Sequence, residues 1–173
     1  DEIACILIEP IQAEGGDRHF RQDFHKELRK LADTYEALLI YDEVQTGVGL
    51  TGKFWAHEHF VEPDIIAFGK KAQVCGILAG KRLDEVETNC FKVSSRINST
   101  WGGNLVDMVR FQRILEVIEH DNLVENAANL GDYLLDGLHR LSAKHAHFSN
   151  PRGKGLMCAI DLPNAHARNA VVS

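Results

Sequence analysis

Two short apolar runs of the sequence end in residues of opposite charge that can do chemistry together. Residues 38–41 lead into Asp42, and residues 65–68 lead through Gly69 into Lys70. A sheltered carboxylate can keep a heterocyclic nitrogen protonated, and a lysine amine can form a Schiff base and afterwards carry a proton. Together these groups indicate proton removal from a carbon atom that bears an amine.

Either residue alone has a simpler explanation. A carboxylate after a strand commonly caps a turn or a helix, and most lysines are solvated surface residues, as Lys71 beside Lys70 illustrates. A carbanion formed next to an amine needs an electron sink, however, and pyridoxal 5'-phosphate (PLP) supplies one when a carboxylate keeps its ring nitrogen protonated. The joint pattern favours this cofactor, with Asp42 on the ring nitrogen and Lys70 as the Schiff-base lysine.

The sequence also offers a segment suited to the cofactor's phosphate. Residues 98–104, NSTWGGN, carry hydroxyl groups and two glycines just before a predicted helix. Backbone N–H groups at the start of a helix attract anions. We therefore place Thr100 on the phosphate.

The elements that must position these groups can be read from the apolar pattern. Residues 4–8 and 38–41 are nearly continuous apolar runs, typical of strands covered on both faces, and residues 21–37 between them have the three- and four-residue spacing of a helix. This order makes a right-handed βαβ unit with parallel strands. Ligands of such sheets lie outside the carboxyl ends of the strands, where Glu9 and Asp42 fall.

The rest of the chain is predicted to be mainly helical. Further strands are expected over residues 65–68, 75–79 and 156–162, and helices over residues 105–119 and 122–141. The run Asn150-Pro151-Arg152-Gly153 predicts a break in the chain. In the first helix, the residues expected on the apolar face are Phe24, Leu28, Leu31 and Tyr35.

Composition excludes several other classes of protein. The 173 residues are 45% hydrophobic and 25% charged, which suits one sizeable core, and a net charge of −6 without a basic stripe argues against nucleic acid. No apolar run reaches the roughly 20 residues that cross a membrane. The four widely spaced cysteines favour free thiols in a reducing compartment, and the histidines lack the partners of a metal site. The first residues carry no targeting signal and indicate a chain that starts within a domain.

Four motifs resemble, in the same order, those of class III aminotransferases of PLP fold type I. They are EPIQAEGG (9–16), YDEVQTGVGLTG (41–52), AFGKK (67–71) and STWGGN (99–104). The resemblance implies an α/β fold in which residues 1–120 form part of a PLP-binding large domain, a mostly parallel sheet flanked by helices. Residues 121–173 would then be a connecting helix and the start of a small C-terminal α+β domain.

The resemblance also implies a role for each residue near the cofactor ring. Asp42 would pair with the pyridine nitrogen, and Lys70 rather than Lys71 would be the Schiff-base lysine. Val44 would pack against one face of the ring, and Gln45 would lie near the phenolic oxygen.

Two further residues would act at the edges of the site. Thr100 would bind the phosphate of the neighbouring subunit's cofactor, which implies a homodimer with a shared active site. Glu14 resembles a switch glutamate that pairs with an arginine while an amine substrate is bound and releases it for a dicarboxylate. That arginine lies beyond Ser173 in such proteins.

The sequence around and between the motifs indicates the substrate. Residues 67–89 and 94–110 are similar to L-lysine 6-aminotransferases, which transfer the ε-amino group of lysine to 2-oxoglutarate and give 2-aminoadipate 6-semialdehyde and glutamate. This implies a cytoplasmic enzyme whose partners are an amino donor and 2-oxoglutarate, without a membrane or nucleic acid.

Three alternatives stay open. Residues 52–60, GKFWAHEHF, and the paired lysines also resemble 4-aminobutyrate aminotransferases, for which a mitochondrial location would be possible, and an ornithine-type donor fits the same chemistry. An aminomutase on the same fold would need no 2-oxoglutarate. The chain could also be an inactive fragment or a non-catalytic homologue.

Overall fold

The computed structural model of the chain describes residues 3–97 and 99–172. In chain order, the strands are β1 (Cys5–Ile8), β2 (Ile11–Gln12), β3 (Arg18–His19), β4 (Leu38–Asp42), β5 (Ile65–Phe68), β6 (Gly76–Ala79), β7 (Ser149–Lys154) and β8 (Met157–Asp161). The α-helices are α1 (Gln22–Thr34), α2 (Leu105–His120), α3 (Leu123–Lys144) and α4 (Ala165–Val172). Two short 3-10 helices span Ala56–His59 and Lys81–Glu85.

The main sheet has four strands in the order β1-β4-β5-β6. Strands β1 and β4 are parallel, with α1 as the crossover between them, and β5 is parallel to β4. Strand β6 runs antiparallel to β5, since only seven residues of chain link the two. The predicted βαβ unit and the mostly parallel sheet flanked by helices are confirmed.

Helix α1 covers the sheet with a different face from the one predicted. Ala32 is fully buried, with Leu28 beside it, against Leu39 and Tyr41 of β4. Of the residues expected on the buried face, Leu28 alone packs there, because Phe24, Leu31 and Tyr35 are 39%, 40% and 73% exposed. The small side chain of Ala32 allows the helix to approach the strand closely, and this rotates the larger apolar residues outward.

The C-terminal part packs as two long helices and a hairpin. Phe111 of α2 stacks on Phe68 of β5 with ring centroids 6.0 Å apart. Strands β7 and β8 form an antiparallel pair, and Gly155 between them lies so close to Gly131 of α3 that a Cβ atom on Gly131 would come within 2.2 Å of the Gly155 carbonyl oxygen. No helix in the described part of the chain is long and apolar enough to span a membrane.

The break predicted at Asn150-Pro151-Arg152-Gly153 is wrong, because these residues belong to β7. Asn150 has a positive φ of 50°, and the pairing with β8 shifts its register between Ser149 and Arg152. The turn-forming residues therefore make a bulge inside the strand rather than end it. The division of the chain at residue 120 stays a prediction.

Candidate active site

Strand pairing fixes the relation between Asp42 and Lys70. Asp42, the last residue of β4, is the register partner of Ala67 on β5, and the backbone N–H of Glu43 donates to the Ala67 carbonyl over 2.8 Å. Lys70 follows Ala67 by three residues and therefore leaves the sheet at the same edge. Asp42 is half-buried, whereas Lys70 is exposed. Both residues therefore lie at the carboxyl end of the parallel strands, where ligands of such sheets bind, and their joint action on a cofactor stays a prediction.

A glycine brings the chain before Lys70 close to Val44. A Cβ atom on Gly69 would lie 3.2 Å from the Cys75 sulfur and 3.5 Å from a methyl carbon of Val44. The first of these distances is shorter than ordinary van der Waals contact. The absence of a side chain at Gly69 thus leaves room for the Cys75 sulfur, and the backbone beside Lys70 lies within van der Waals reach of Val44, the residue expected to face the cofactor ring.

Only one of the two carboxylate oxygens of Asp42 accepts a hydrogen bond within the described residues. Its Oδ1 accepts a hydrogen bond of 3.0 Å from the backbone N–H of Val44. Within residues 3–97 and 99–172, no donor is bonded to its other oxygen. A half-buried carboxylate with one free oxygen fits a partner that donates a proton, such as a protonated pyridine nitrogen.

Gln45 joins three of the sequence motifs. Its side-chain amide donates to Glu14 Oε1 over 3.2 Å, and its backbone carbonyl accepts a hydrogen bond from the ammonium group of Lys71. Burial lowers the pKa of Lys71, and the positive charge of the neighbouring Lys70 lowers it further. The ammonium group of Lys71 is therefore engaged with Gln45, whereas no hydrogen bond or ion pair among the described residues involves the side chain of Lys70.

Glu9 has a structural role in the turn that carries Glu14. Its carboxylate accepts a hydrogen bond of 3.0 Å from the backbone N–H of Ala13. This contact is the simple cap that a carboxylate after a strand commonly makes. It begins the turn immediately before Glu14.

Glu43, which directly follows Asp42 in the sequence, is buried and has a structural role beside the site. Only 1% of it is exposed, yet its carboxylate accepts four hydrogen bonds. The donors are the hydroxyl of Thr46 at 3.0 Å, the backbone N–H groups of Ala56 and His57 at 2.7 and 2.8 Å, and the ring Nδ1 of His57 at 3.2 Å. These bonds attach the loop after β4 to the start of the first 3-10 helix.

The sequence contained a signal for this burial. Side chains alternate along a strand, so Glu43 continues the series of Leu39 and Tyr41, which are fully buried, while Asp42 projects from the opposite face. A carboxylate on the buried face needs several donors to compensate for its lost hydration. Glu43 is therefore a structural neighbour of Asp42 and not an alternative to it.

Thr100 is not joined to these residues by any described hydrogen bond. It is exposed, in an irregular segment before α2, and the neighbouring Asn98 lies outside the described residues. No described hydrogen bond joins Thr100 to Asp42, Gln45 or Lys70, and its contact with a phosphate stays a prediction.

Comparison with known proteins decides the family. Residues 1–173 match the aminotransferase class-III family over the whole chain. The chain belongs to this family. The class III resemblance inferred from the four motifs is thereby confirmed.

Two curated relatives bear on the substrate of this class III chain. L-lysine-epsilon aminotransferase of Mycobacterium tuberculosis is 57% identical over 173 residues, which is 99% of this chain and 38% of the relative. A 4-aminobutyrate aminotransferase of Emericella nidulans is 45% identical over 157 residues, 88% of this chain and 30% of the relative. The chain thus spans well under half the length of these relatives.

A solved structure supports the fold and the cofactor. Lysine aminotransferase from M. tuberculosis in the internal aldimine form superposes with a TM-score of 0.92 at 57% identity, over 95% of this chain and 38% of that one. Family membership and this relative confirm PLP as the cofactor expected from the sequence.

Proposed function

We propose that the full-length protein transfers the ε-amino group of L-lysine to 2-oxoglutarate, giving 2-aminoadipate 6-semialdehyde and glutamate. The observation that carries this proposal is the 57% identity to an L-lysine-epsilon aminotransferase over 99% of the chain. The identity to a 4-aminobutyrate aminotransferase is lower, at 45% over 88% of the chain. Lysine is therefore the expected amino donor, in preference to other terminal amines.

The described residues fit the cofactor. Bound PLP supplies the electron sink for proton removal next to an amine. In this proposal, the free oxygen of Asp42 keeps the pyridine nitrogen protonated, Val44 covers one face of the ring, and Gln45 lies near its phenolic oxygen. The register of β4 and β5 and the close approach of Gly69 to Val44 support these roles.

Lys70 holds and moves the proton. Its Nζ would bind the cofactor's carbonyl carbon at rest, and once released it would accept the proton from the substrate carbon as a free amine. The exposure of Lys70 supports this role, because no hydrogen bond or ion pair among the described residues holds its side chain, which can therefore move between two positions. The bond between Lys71 and Gln45 supports the choice of Lys70 over its neighbour.

The remaining assignments belong to the same proposal. Glu14 acts as the switch carboxylate for the amine donor, and its bond to Gln45 places it beside the loop after β4. Thr100 binds the phosphate of the partner subunit's cofactor, so the active enzyme is a homodimer. The expected location is the cytoplasm.

Paired lysine variants of the full-length enzyme test the proposal. Lys70→Ala is expected to abolish the visible absorbance band of the lysine-bound cofactor and all transamination, whereas Lys71→Ala retains the band. Loss of the band in Lys71→Ala alone would contradict the assignment. Asp42→Asn is expected to keep part of the bound cofactor and lose turnover severely, and near-normal rates would refute its role.

A donor screen tests the substrate. Lysine, ornithine and 4-aminobutyrate are each supplied with 2-oxoglutarate, and glutamate formation is measured. The highest kcat/KM is expected with lysine. A preference for 4-aminobutyrate would favour the second candidate, which the relative at 45% identity supports. No glutamate with any donor would contradict transamination and indicate either an aminomutase, which needs no 2-oxoglutarate, or a non-catalytic homologue.

A further inference from the structure

Arg152 of β7 holds the turn that follows Glu14. Its Nε donates to the carbonyl of Asp17 over 2.6 Å, and its Nη2 donates to the carbonyl of Gly16 over 3.2 Å. On its other side, Nη1 donates to Asp161 Oδ1 over 2.8 Å and to the Asn150 carbonyl over 3.0 Å. The side chain is only 17% exposed. One guanidinium therefore links two segments that are more than 130 residues apart in the sequence.

The turn held by Arg152 is compact. The carbonyl of Ala13 accepts hydrogen bonds from the N–H groups of Gly16 and Asp17 over 3.0 and 2.9 Å. Gly16 and Asp17 both have positive φ angles, of 112° and 47°. Because Glu14 lies inside this closed turn, a restraint on Gly16 and Asp17 is also a restraint on Glu14.

The tip of the same hairpin holds the loop that carries Gln45. The N–H of Leu156 donates to the Leu50 carbonyl over 3.0 Å. A Cβ atom on Gly155 would lie 2.3 Å from the Thr51 carbonyl carbon, so the two backbones are in direct contact. The β7–β8 hairpin therefore contacts both loops that the Glu14–Gln45 hydrogen bond joins.

A cavity lies between these three segments. It has a volume of about 480 Å³, and its lining includes Glu14, Gln45, Leu50, Leu156 and Met157. The hairpin thus forms one wall of a cavity that Glu14 also lines.

We propose that Arg152 is a positioning residue that sets the Glu14 carboxylate for the amino-donor half of the reaction. This inference rests on the proposed function, in which Glu14 pairs with an arginine while the amine is bound. The planar guanidinium presents several N–H groups in a fixed arrangement and so bonds three carbonyls and a carboxylate at once, which the compact ammonium of a lysine cannot reproduce.

The consequence is an asymmetry between the two half-reactions. Glu14 is needed in place when the amine donor binds, and it moves away when 2-oxoglutarate binds. Arg152→Ala should therefore lower kcat/KM for the amino donor about tenfold and change kcat/KM for 2-oxoglutarate less than about twofold. Arg152→Lys should fall between Arg152→Ala and the wild type in its effect on the donor.

The experiment measures both half-reactions of the full-length holoenzyme in single turnovers, by the absorbance of the cofactor. Arg168→Ala is the matched control, because Arg168 on α4 is exposed and its side chain bonds its neighbour Asn169. Glu14→Gln and the Arg152→Ala/Glu14→Gln double variant complete a cycle. Arg152→Ala should have little further effect once Glu14 is changed. Equal losses in both half-reactions, or additive losses in the cycle, would overturn the inference.

Amide hydrogen exchange separates this inference from the proposed function. Faster exchange over residues 13–17 is expected in Arg152→Ala and not in Arg168→Ala, whatever the substrate is. Unchanged exchange would refute the restraint even in an active enzyme. A wild-type enzyme that transfers no amine would instead refute the proposed function.

Discussion

Replacing Glu43 by glutamine should destabilise the protein by about 3 kcal/mol, although the two side chains have the same shape. The Glu43 carboxylate accepts four hydrogen bonds with 1% exposure. An amide has only one oxygen, and its NH₂ group would face two of the donors. The Thr46 hydroxyl or the His57 ring nitrogen can accept from that NH₂ group, but the backbone N–H of Ala56 or His57 cannot. One buried donor left unsatisfied costs about 1–3 kcal/mol, and the weaker bonds to an uncharged acceptor add to this cost, which together give the expected loss.

The matched control is Glu58→Gln at the same 3-10 helix. Glu58 is exposed and accepts one bond, from the Trp55 backbone N–H over 2.8 Å, which an amide oxygen can also accept. The expected change for this variant is below about 0.5 kcal/mol. Urea unfolding of the full-length enzyme is followed by tryptophan fluorescence, since the Trp55 ring packs on Gly47 in the loop that Glu43 holds.

Two results would refute this reasoning. If Glu43→Gln lowers the free energy of unfolding by less than about 0.5 kcal/mol, the four bonds do not stabilise the loop. If Glu58→Gln costs as much as Glu43→Gln, burial is not what makes the contacts strong. If the variant and the wild type unfold at the same urea concentration but their free energies of unfolding depend differently on urea, the substitution has instead changed the unfolded state.

Two further predictions concern stability. Burial lowers the pKa of His25 from 6.5 to about 4, so the folded state stays neutral while the unfolded state takes up a proton, and about 3 kcal/mol of stability should be lost as the pH falls from 6.5 to 4. His25→Phe should abolish this dependence at the cost of the 2.7 Å bond to the Tyr41 hydroxyl, and an unchanged pH profile would contradict the assignment. Gly155→Ala, at φ 53°, should cost about 2–5 kcal/mol in urea unfolding, because its Cβ would strike the Thr51 backbone. Gly103→Ala, at φ 70° and with no atom within 4 Å of the added Cβ, should cost about 1–2 kcal/mol. Equal losses in the Gly155 and Gly103 variants would show that the contact of Gly155 with Thr51 does not contribute.

Much of the sheet could be predicted because its strands are dense apolar runs with clear ends. The strand over residues 65–68 was predicted with its observed bounds, since Pro63-Asp64 and Gly69 delimit it. Strands β2 and β3 were missed, because each has two residues, too few to show any periodicity. The positions of Asp42 and Lys70 followed from strand ends alone.

Other features depend on contacts that no local pattern shows. The bulge in β7 uses Asn150 and Pro151, residues that usually end a strand, and its partner β8 determines that they continue one. The bonds from Arg152 to Gly16 and Asp17 join distant segments. Such contacts arise from the packing of the hairpin against the turn, which the alternation of apolar and polar residues does not encode.

The register of β4 against β5 restricts how this site can change through insertions and deletions. Asp42 is paired with Ala67, and Lys70 stands a fixed three residues further along the chain. A one-residue insertion or deletion within residues 65–69 would turn the following side chains to the opposite face of the sheet. The amine of Lys70 would then no longer lie on the same side as the carboxylate of Asp42. Length changes in the largely exposed segment around residues 87–97 leave this pairing intact. Homologues and engineered libraries should therefore vary freely in length there while keeping the spacing from Ala67 to Lys70 constant.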